Sequence, residues 1–404
     1  MTIQKAALGA LSLAAILAVQ AAHAEDDHAV WRIFVADQAA ATVTALDLDA
    51  PDHRWTFELT GPTNLAVSPE GEAIIAVQVN NDRVDFLTSG IALDDHGDHA
   101  DLHVEDPAKI DAVLEGPRPF HVVSHDHTIA INFDRGGYVA MIDEHDLMDG
   151  DPGSERFVQA RAHHGYAVPA GDYILSSVAS DAPVEEGKLP PRIGIGAFNA
   201  DGTPAGDMAT CTNLHGEAFS GSYLLSGCSE GVIAADLSGA TPAFTMLPYP
   251  ADFPEGTTGT LLGSTAMQVF LGNFGRDSVV VIDPTAAPYF TRVELPFRRV
   301  HFVLDAAKPQ FAYILTEDGT LHQLNMLTAT IEQSATVTQA YSMDGNSGDP
   351  RPRLAMAGDR LAMTDPLSSL VRVIDTADLS ELATIPVDGL PYNIVAVGGS
   401  GAAH

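Results

Sequence analysis

The sequence predicts an all-β protein that folds as a single β-propeller with eight blades. Short apolar runs, each opened by Gly or Pro and each returning after a tight polar turn, recur roughly every 40–56 residues. Within these runs apolar and polar residues alternate with the period of two that is typical of strands. A repeat of this length made only of strands is typical of the four-stranded blades of a propeller.

The repeated unit consists of a strand, a tight turn, a second strand, a polar turn and a third strand. It is clearest in PTNLAVSPEGEAIIAVQVNNDRV from residue 62 and in RPFHVVSHDHTIAINFDRGGYVAMID from residue 118. First strands are expected near residues 63, 119, 165, 216, 260, 300, 353 and 391. This count predicts eight blades, or seven if the weak repeat near residue 260 is irregular.

The two ends of the chain together supply the strands of one blade. The segment WRIFVADQAAATVTALDLD from Trp31 and the following RWTFELTG read as second, third and fourth strands that lack a first strand. The C-terminal segment 390–399, LPYNIVAVGG, reads as a first strand without a blade. We expect the two to pair and to close the ring.

Residues 1–24 have the pattern of a secretory signal peptide. Lys5 precedes the apolar run LGALSLAAILAV, which is followed by the small-residue site Ala22-His23-Ala24. We expect cleavage before Glu25 and a mature single domain, residues 25–404, in the periplasm. No later stretch approaches the roughly 20 apolar residues that a membrane span needs, so we expect no membrane span.

The composition is strongly acidic, with a formal net charge of −34 from 20 basic and 54 acidic residues. Such a charge disfavours a nucleic-acid partner and raises the local concentration of cations. We expect a monomer. The two cysteines, Cys211 and Cys228, fit a disulfide in an oxidising compartment. The alternative is that they are thiolate ligands of a zinc ion.

Residues 94–106, DDHGDHADLHVED, combine histidines with carboxylates and contain no Lys or Arg. Imidazole and carboxylate are donors that suit zinc, so His96, His99, His103 and Asp98 are candidates for a weaker metal site on a mobile loop. The loop is predicted to be an insertion in blade 2. The alternative is a solvated acidic loop without a ligand.

Four further histidine positions fall at the beginning of predicted first strands, which line the channel of a propeller. They are His121, the pair His163 and His164, His215, and His301. The first three positions belong to consecutive blades, whereas His301 lies farther round the ring. Three imidazoles around one ion are typical of zinc. The alternative for each is a hydrogen-bonded channel residue.

The roles of neighbouring residues stay open at this level. Successive side chains of a strand alternate between faces, so His163 and His164 cannot both face the channel. Asp134 is a candidate for the fourth ligand or for the acceptor that fixes a histidine tautomer. His125 and His127, with Asp126, lie in a predicted hairpin turn at the opposite face and form either a minor site or an ordinary exposed turn.

Two sequence motifs of common enzymes are absent: there is no Walker pattern and no H-E-x-x-H pattern. We therefore expect a protein that is not an enzyme. A three-histidine zinc site with an open position can activate water, so a metal-dependent, lactonase-like propeller hydrolase is the alternative. A docking platform without a metal would leave the histidines unexplained.

Several segments together resemble the AztD family of periplasmic zinc metallochaperones. They are DHGDHADLH, GPRPFHVVSHDHTIAINFDRGGYVAMIDEHD, ARAHHGYAVP, CTNLHGEAFSG and GNFGRDSVVVID, and the resemblance covers essentially the whole mature chain.

The resemblance implies a propeller that binds zinc and hands it to the zinc-specific solute-binding protein of an ABC importer. It implies a tight site from His121, His163 or His164, and His215, with a histidine-bearing mobile region that assists transfer. Residues 94–106 are the candidate for that region.

Overall fold

The computed structural model describes residues 28–96, 100–153, 155–346 and 348–403. In this part of the chain, strands form eight sheets that are each the core of one propeller blade. The all-β, eight-bladed propeller predicted from the sequence is therefore confirmed. The predicted signal peptide, residues 1–24, lies outside the described residues. Among the described residues, helices are too short and too polar to cross a bilayer.

Blades 1 to 3 are formed by the N-terminal part of the chain. Their bounds are β1 (His28–Asp37), β2 (Thr42–Asp47) and β3 (Ala50–Glu58) in blade 1; β4 (Asn64–Val67), β5 (Ala73–Gln78), β6 (Arg83–Thr88) and β9 (Lys109–Glu115) in blade 2, with β7 (Ile91–Asp95) and β8 (Ala100–Val104) inserted; and β10 (Pro119–His125), β11 (Thr128–Phe133), β12 (Tyr138–Asp143) and β13 (Glu155–Val158) in blade 3. The helix α1 (Glu144–Met148) follows β12.

Blades 4 to 8 follow with the same meander topology. Their strands are β14 (Ala167–Ala170), β15 (Tyr173–Ala179), β16 (Arg192–Phe198), β17 (Ala209–Thr210); β18 (His215–Ser220), β19 (Tyr223–Gly227), β20 (Gly231–Asp236), β21 (Ala243–Pro248); β22 (Leu261–Leu262), β23 (Phe270–Phe274), β24 (Ser278–Ile282), β25 (Phe290–Glu294); β26 (Arg299–Leu304), β27 (Phe311–Thr316), β28 (Thr320–Asn325), β29 (Thr330–Thr336); and β30 (Leu354–Ala357), β31 (Arg360–Asp365), β32 (Leu370–Asp375), β33 (Glu381–Pro386). The repeat near residue 260 is a complete blade with a first strand of only two residues.

The last strand, β34 (Pro391–Ala403), closes the ring as predicted. It pairs antiparallel with β1, from His28 opposite Gly401 to Asp37 opposite Pro391. Blade 1 therefore takes its first strand from the C-terminus and its other three from the N-terminus. A ring closed in this way leaves no open strand edge between the first and last blades.

The core lies between neighbouring blades, because each sheet buries one face against the next. Ile33 and Leu46 of blade 1 pack with Ala362 and Val373 of blade 8, and all four are at most 3 % exposed. The apolar alternation that predicted the strands provides these interfaces. Each blade is thus held rigidly by two neighbours, which fixes the side chains that its first strand presents to the channel.

First strands run in the same direction along the channel, so the propeller has two distinct faces. We call the end where first strands begin the leading face; it contains Phe120, His215 and Arg299. We call the opposite end the trailing face; it contains His125, Ser220 and the turn after β4. This direction decides which of the histidines can meet.

The segment 94–106, predicted as a mobile loop, is largely an antiparallel hairpin. Strands β7 and β8 pair from Ile91 opposite Val104 to Asp95 opposite Ala100, and β8 continues in parallel onto the end of β34. The physical reason is that Ile91 and Leu102 are apolar and buried, at 5 % and 2 % exposure, against the core between blades 1 and 2. The hairpin lies on the trailing face, because β6 ends there.

Cys211 and Cys228 form a disulfide that joins the segment before β18 to the end of β19. The predicted disulfide is therefore confirmed, and the alternative of two thiolate zinc ligands is wrong because an oxidised pair does not ligate. Both sulfur atoms are buried in the core between blades 4 and 5. The bond reinforces the strand that carries His215.

Removing this disulfide should lower the free energy of unfolding of the mature chain by about 3 kcal/mol, because it closes a loop in the unfolded state. The two cysteines are 17 residues apart. Guanidinium titration of the double variant Cys211→Ala/Cys228→Ala, beside the oxidised protein, measures this difference. A change below about 1 kcal/mol would show that the bond does not constrain the unfolded chain.

Candidate metal centre

The structure brings His121, His164 and His215 together at the leading face. His121 belongs to β10, His164 precedes β14 and His215 begins β18, so three adjacent blades contribute one histidine each. One ring nitrogen from each histidine lies within 4.8 Å of those of the other two. Two of the side chains are about one-fifth exposed and His215 is more open. The cluster is therefore accessible from the channel mouth.

Irregular pairing at the beginning of two first strands positions two of these side chains. The register shifts between Pro119 and Val122 in blade 3 and between His215 and Ala218 in blade 5. Bulges of this kind re-aim side chains and are common next to functional sites. Gly216 takes a φ of +71°, and a Cβ there would lie only 2.7 Å from the carbonyl oxygen of Gly259. Glycine is required at this turn of the chain.

Each of the three histidines has an oxygen acceptor at Nδ1. His164 Nδ1 lies 2.8 Å from Asp134 Oδ2, His215 Nδ1 lies 2.7 Å from the Gly259 carbonyl oxygen, and His121 Nδ1 lies 3.4 Å from Glu217 Oε1. An acceptor at Nδ1 places the proton there and leaves the Nε2 lone pair free. All three rings thus present a metal-binding nitrogen to the shared space.

The distance between two of the ring nitrogens matches a tetrahedral zinc shell. His121 Nε2 and His164 Nε2 are 3.3 Å apart. Two nitrogens that each lie about 2.05 Å from a tetrahedral ion are separated by about 3.3 Å. Two lone pairs that face each other at this distance repel unless a cation or a proton lies between them. The donor set therefore fits a zinc ion.

Burial and local charges move the pKa values of His121 and His215 in opposite directions. Burial by itself would lower the pKa of His121, but the nearby carboxylate of Glu217 outweighs it and raises the pKa above its ordinary value. Burial lowers the pKa of His215, with Arg192 as a further cause. Glu217 Oε2 is buried with no hydrogen-bond partner among the described residues. An unpaired buried acceptor costs about 1–3 kcal/mol, so the site is built to receive a donor.

His163, the other member of the pair, points away from this centre. Its Nδ1 lies 2.8 Å from the Arg161 carbonyl oxygen and its Nε2 lies 2.8 Å from Ser177 Oγ. The side chain is 1 % exposed, and burial lowers its pKa. Both ring nitrogens of His163 are occupied, and only His164 of the pair lies in the cluster.

Asp134 makes the contact expected for the second of its two predicted roles, that of an acceptor for a histidine ring. Its carboxylate is fully buried, accepts from His164 at Oδ2, from Arg118 Nε at 3.3 Å and from Asn132 Nδ2 at 2.8 Å. An oxygen already bonded to Nδ1 of a ligand histidine orients that ring rather than the ion. Asp134 is therefore placed behind His164 and not in the shared space.

His301 lies apart from the cluster, as its place in blade 7 predicts. Its Nδ1 accepts a hydrogen bond of 3.2 Å from the backbone N–H of Leu354. Burial lowers the pKa of His301 to about 3, with the charge of Arg353 as a lesser cause. It is thus a neutral side chain that joins blades 7 and 8.

The remaining predicted histidines lie on the trailing face and do not form the predicted groupings. The ring of His125 stacks on Phe219, with 3.6 Å between ring centroids. His127 does not meet His125 and Asp126 in one site but contacts Glu70 and His145. The physical reason is that His125 ends a strand, whereas His127 follows a turn in which Asp126 has a φ of +49°.

The hairpin histidines form carboxylate pairs with their own hairpin. His96 Nε2 lies 3.2 Å from Asp101 Oδ2, and His103 Nε2 lies 3.3 Å from Asp94 Oδ2. Two further candidates, Asp98 and His99, lie outside the described residues. The hairpin lies on the trailing face and the three-histidine cluster on the leading face, so the structure does not place the two side by side.

Glu217 and Gly259 are the partners that sequence reasoning missed. Glu217 lies two residues after His215 on a predicted first strand, which was an available signal, but acidic residues are abundant throughout the chain. Gly259 contacts His215 through its backbone carbonyl oxygen. Every residue has such an oxygen, so the residue type gives no indication of this contact. Each of the two positions places an oxygen atom at Nδ1 of a clustered histidine.

Comparison with known proteins reveals a full-length relative. The zinc chaperone AztD of Citrobacter koseri is 39 % identical over 388 residues, which cover 96 % of this chain and 91 % of that protein. The crystal structure of C. koseri AztD superposes with a TM-score of 0.89 at 38 % identity, over 93 % of this chain and all of that one. Its apo structure gives a TM-score of 0.87.

More distant structures share only the fold. The dihydro-heme d1 dehydrogenase NirN is 14 % identical, with a TM-score of 0.58 over 90 % of this chain and 74 % of its own. No family model matches the sequence. Identity near 40 % over essentially the whole chain, together with the matching eight-bladed structure, shows that this chain belongs to the AztD family of zinc chaperones.

Proposed function

We propose that this protein is a periplasmic zinc chaperone that binds Zn(II) through Nε2 of His121, His164 and His215. It passes the ion directly to the zinc-specific solute-binding protein of an ABC importer. The observation that carries this proposal is the convergence of one ring nitrogen from each of three histidines, each of which has an oxygen atom near its Nδ1. Membership of the zinc chaperone family supports zinc as the cargo.

The geometry suits an ion that must be held and then given up. Three imidazoles fixed by neighbouring blades are preorganised for tight binding. They leave the fourth tetrahedral position to water or to an incoming ligand, and a water there could donate to the unpaired Glu217 Oε2. A ligand of the acceptor protein can enter this position from the open mouth beside His215. Zinc would then pass by stepwise exchange, with one bond replaced at a time.

The acceptor must approach the leading face, because the three-histidine cluster opens there. The hairpin β7–β8 lies on the other face, so it is not the carrier for ions that leave this cluster. This arrangement supports direct docking of the solute-binding protein on the channel mouth formed by blades 3 to 5.

A transfer experiment tests this function. Zinc-loaded mature protein is mixed with the metal-free solute-binding protein, and zinc arrival is followed in the presence of excess chelator. We expect a rate that rises with acceptor concentration and exceeds the rate of spontaneous zinc release. The matched control is the hairpin variant His96→Gln/His103→Gln, which should transfer zinc from the cluster at the unchanged rate. A rate independent of the acceptor would rule out direct transfer.

The alternative of a lactonase-like hydrolase shares one observation, since three imidazoles with an open fourth position can also activate water. Assays of the zinc-loaded protein with simple lactones and phosphoesters separate the two functions. The chaperone proposal expects no zinc-dependent turnover above that of free zinc. Turnover that is lost in His164→Ala would replace the proposal with a catalytic role.

A further inference from the structure

A recess lined by arginines lies on the leading face between blades 6 and 7. Its volume is about 360 Å³, and its walls include Arg276, Arg298 and Arg299 together with residues 343–345. Arg276 lies in the turn between β23 and β24, and Arg299 begins β26. We call this cavity the arginine recess. Three guanidinium groups around one cavity, in a chain with 20 basic and 54 acidic residues, indicate a place that receives an anion.

Two of these guanidinium groups have no carboxylate partner in the described part of the chain. Arg299 Nη1 donates to the Ser278 carbonyl oxygen at 2.7 Å, and its Nη2 donates to that of Gly275 at 3.3 Å. Arg276 is exposed, and its side chain forms neither a hydrogen bond nor an ion pair with the described residues. The positive charges of both side chains are therefore available to a ligand.

The surroundings of Arg299 favour the arrival of a negative charge. Burial lowers the pKa of Arg299 to about 10, and the nearby carboxylate of Asp277 only partly opposes this effect. A pKa lowered by burial means that the surroundings disfavour the charged form of the guanidinium group. A carboxylate in the recess would stabilise that form, and it could accept two parallel hydrogen bonds from one guanidinium group.

The third arginine forms part of the wall. Arg298 Nη2 lies 2.7 Å from Glu317 Oε2, and its Nη1 donates to Asp344 Oδ1 at 2.8 Å. Asp344 is a carboxylate of the recess wall, and this pair compensates its charge. The positive charges of Arg276 and Arg299 therefore remain uncompensated by the wall.

Buried Arg351 holds the opposite wall, residues 343–345, in place. It is 6 % exposed, and its guanidinium group donates to the backbone carbonyl oxygens of Ser342 at 3.0 Å, Asn346 at 2.9 Å and Asp344 at 3.1 Å. Three hydrogen bonds from one side chain fix the course of this loop. The recess is thus preorganised, so a ligand would bind with little ordering of the wall.

An exposed aromatic side chain is the neighbour of the recess in the sequence. Phe297 directly precedes Arg298 and is 47 % exposed. Aromatic residues and arginine are enriched in protein–protein interfaces and account for many of the residues that dominate binding. An exposed phenylalanine next to unpaired arginines favours a protein as the occupant, because a free inorganic anion would gain nothing from the ring.

The arginine recess opens on the same face as the three-histidine cluster. The cluster belongs to blades 3 to 5 and the recess to blades 6 and 7, so both border one channel mouth. A second copy of this chain is a poor occupant, because two molecules with a net charge of −34 repel each other. We propose that the arginine recess binds surface carboxylates of the zinc-acceptor protein and so orients that protein over the three-histidine cluster. This inference rests on the proposed function, which supplies the acceptor.

Such an anchor separates docking from zinc ligation. Complementary charges at an interface mainly set the rate of association and the orientation of the partner. The three histidines, by contrast, set the affinity for zinc. Reversing the charge of Arg276 should therefore impair transfer through weaker docking and leave zinc affinity unchanged.

The test measures zinc transfer from the loaded mature chain at increasing concentrations of the metal-free solute-binding protein. Arg276→Glu should raise the acceptor concentration that gives half the limiting rate by at least about 10-fold, the equivalent of about 1.4 kcal/mol. Arg276→Lys keeps the charge and should lose less than Arg276→Glu. Added salt should weaken docking of the wild-type protein more than that of Arg276→Glu, because salt screens the attraction that the variant lacks.

The matched control is Lys308→Glu. Lys308 is exposed and lies in the turn between β26 and β27, so the same change of charge falls on the trailing face of blade 7. This variant should transfer zinc as the wild-type protein does. Chelator competition and thermal unfolding should show unchanged zinc affinity and stability in Arg276→Glu and Lys308→Glu, because neither native side chain forms an ion pair with the residues that the structure describes.

A direct binding measurement separates this inference from the proposed function. Fluorescence anisotropy of labelled, metal-free acceptor follows docking onto His164→Ala, in which the three-histidine cluster is incomplete. Docking that is lost when Arg276→Glu is added supports the recess, whether or not the three histidines hold the zinc. Transfer that depends on the acceptor but is unchanged in Arg276→Glu would overturn the recess and leave the proposed function intact. Self-association of the wild-type protein that Arg276→Glu abolishes would also overturn the inference, because a second copy would then be the occupant.

Discussion

His164→Ala should lose tight zinc binding, whereas His163→Ala should keep it and lose stability. His164 contributes one of three converging nitrogens, so its removal should weaken the leading-face site by more than about 100-fold, beyond the usual effect of losing an outer partner. Asp134 would still accept from Arg118 and Asn132, so the fold should tolerate the change. Chelator competition and thermal unfolding of both variants measure the two effects separately.

The neighbouring histidine is the matched control, because it has the same residue type and differs by one position. His163→Ala would leave Ser177 Oγ and the Arg161 carbonyl oxygen without their imidazole partner. Buried groups that lose a partner cost about 1–3 kcal/mol each. Zinc affinity of His163→Ala should stay within a factor of a few of wild type. The opposite pattern, with zinc lost only in His163→Ala, would contradict the assigned geometry.

His163 and His164 also show what could not be predicted from the sequence. Alternation along a strand predicts that one of the two histidines faces the channel, but it does not say which, because the segment before β14 is irregular. The decision depends on Asp134, which comes from another blade and fixes His164 through Nδ1. Contacts between blades are set by packing, and one sequence carries no local signal for them.

The fold was predictable for a different reason. The blades are local repeats whose period-two pattern and Gly or Pro turns recur along the chain, with one weak copy near residue 260. Eight first strands and the closure by β34 could therefore be predicted. The hairpin β7–β8 was not predicted. Its many acidic residues hide the apolar positions of each strand, Ile91 in β7 and Leu102 in β8, which are buried in the structure. The high density of charged residues in segment 94–106 suggested a loop, whereas in the structure buried apolar residues hold much of this segment in two strands.

The group formed by Glu70, His127 and His145 on the trailing face illustrates the same limit. His127 was recognised as a candidate, but its partners were sought among adjacent residues. Glu70 lies in the preceding blade, and His145 lies in a helix that the strand repeat does not predict. Only the ring geometry brings the three segments together.

Zinc affinity of the leading-face site should fall steeply as the pH drops from about 7.5 to about 5.5, because neutral imidazole is the ligand and protons compete for Nε2. Burial would lower the pKa of His121, yet Glu217 raises it above the ordinary value, which is about 6.5. His121 therefore takes up a competing proton above that pH, and the fall in zinc affinity begins there. Burial lowers the pKa of His215, so its proton competes at lower pH and steepens the curve.

The variant Glu217→Gln separates two effects of this carboxylate on the dependence of zinc affinity on pH: its effect on the pKa of His121 and its effect on zinc affinity itself. Without the negative charge the pKa of His121 should fall, so zinc binding should resist acid to a lower pH than in wild type. At high pH, where protons no longer compete, the variant should bind zinc about 10–100-fold more weakly because His121 loses its charged partner. Affinity measured by chelator competition across this pH range checks both. A flat wild-type curve would exclude imidazole ligation, and an unchanged onset in Glu217→Gln would remove Glu217 from the site.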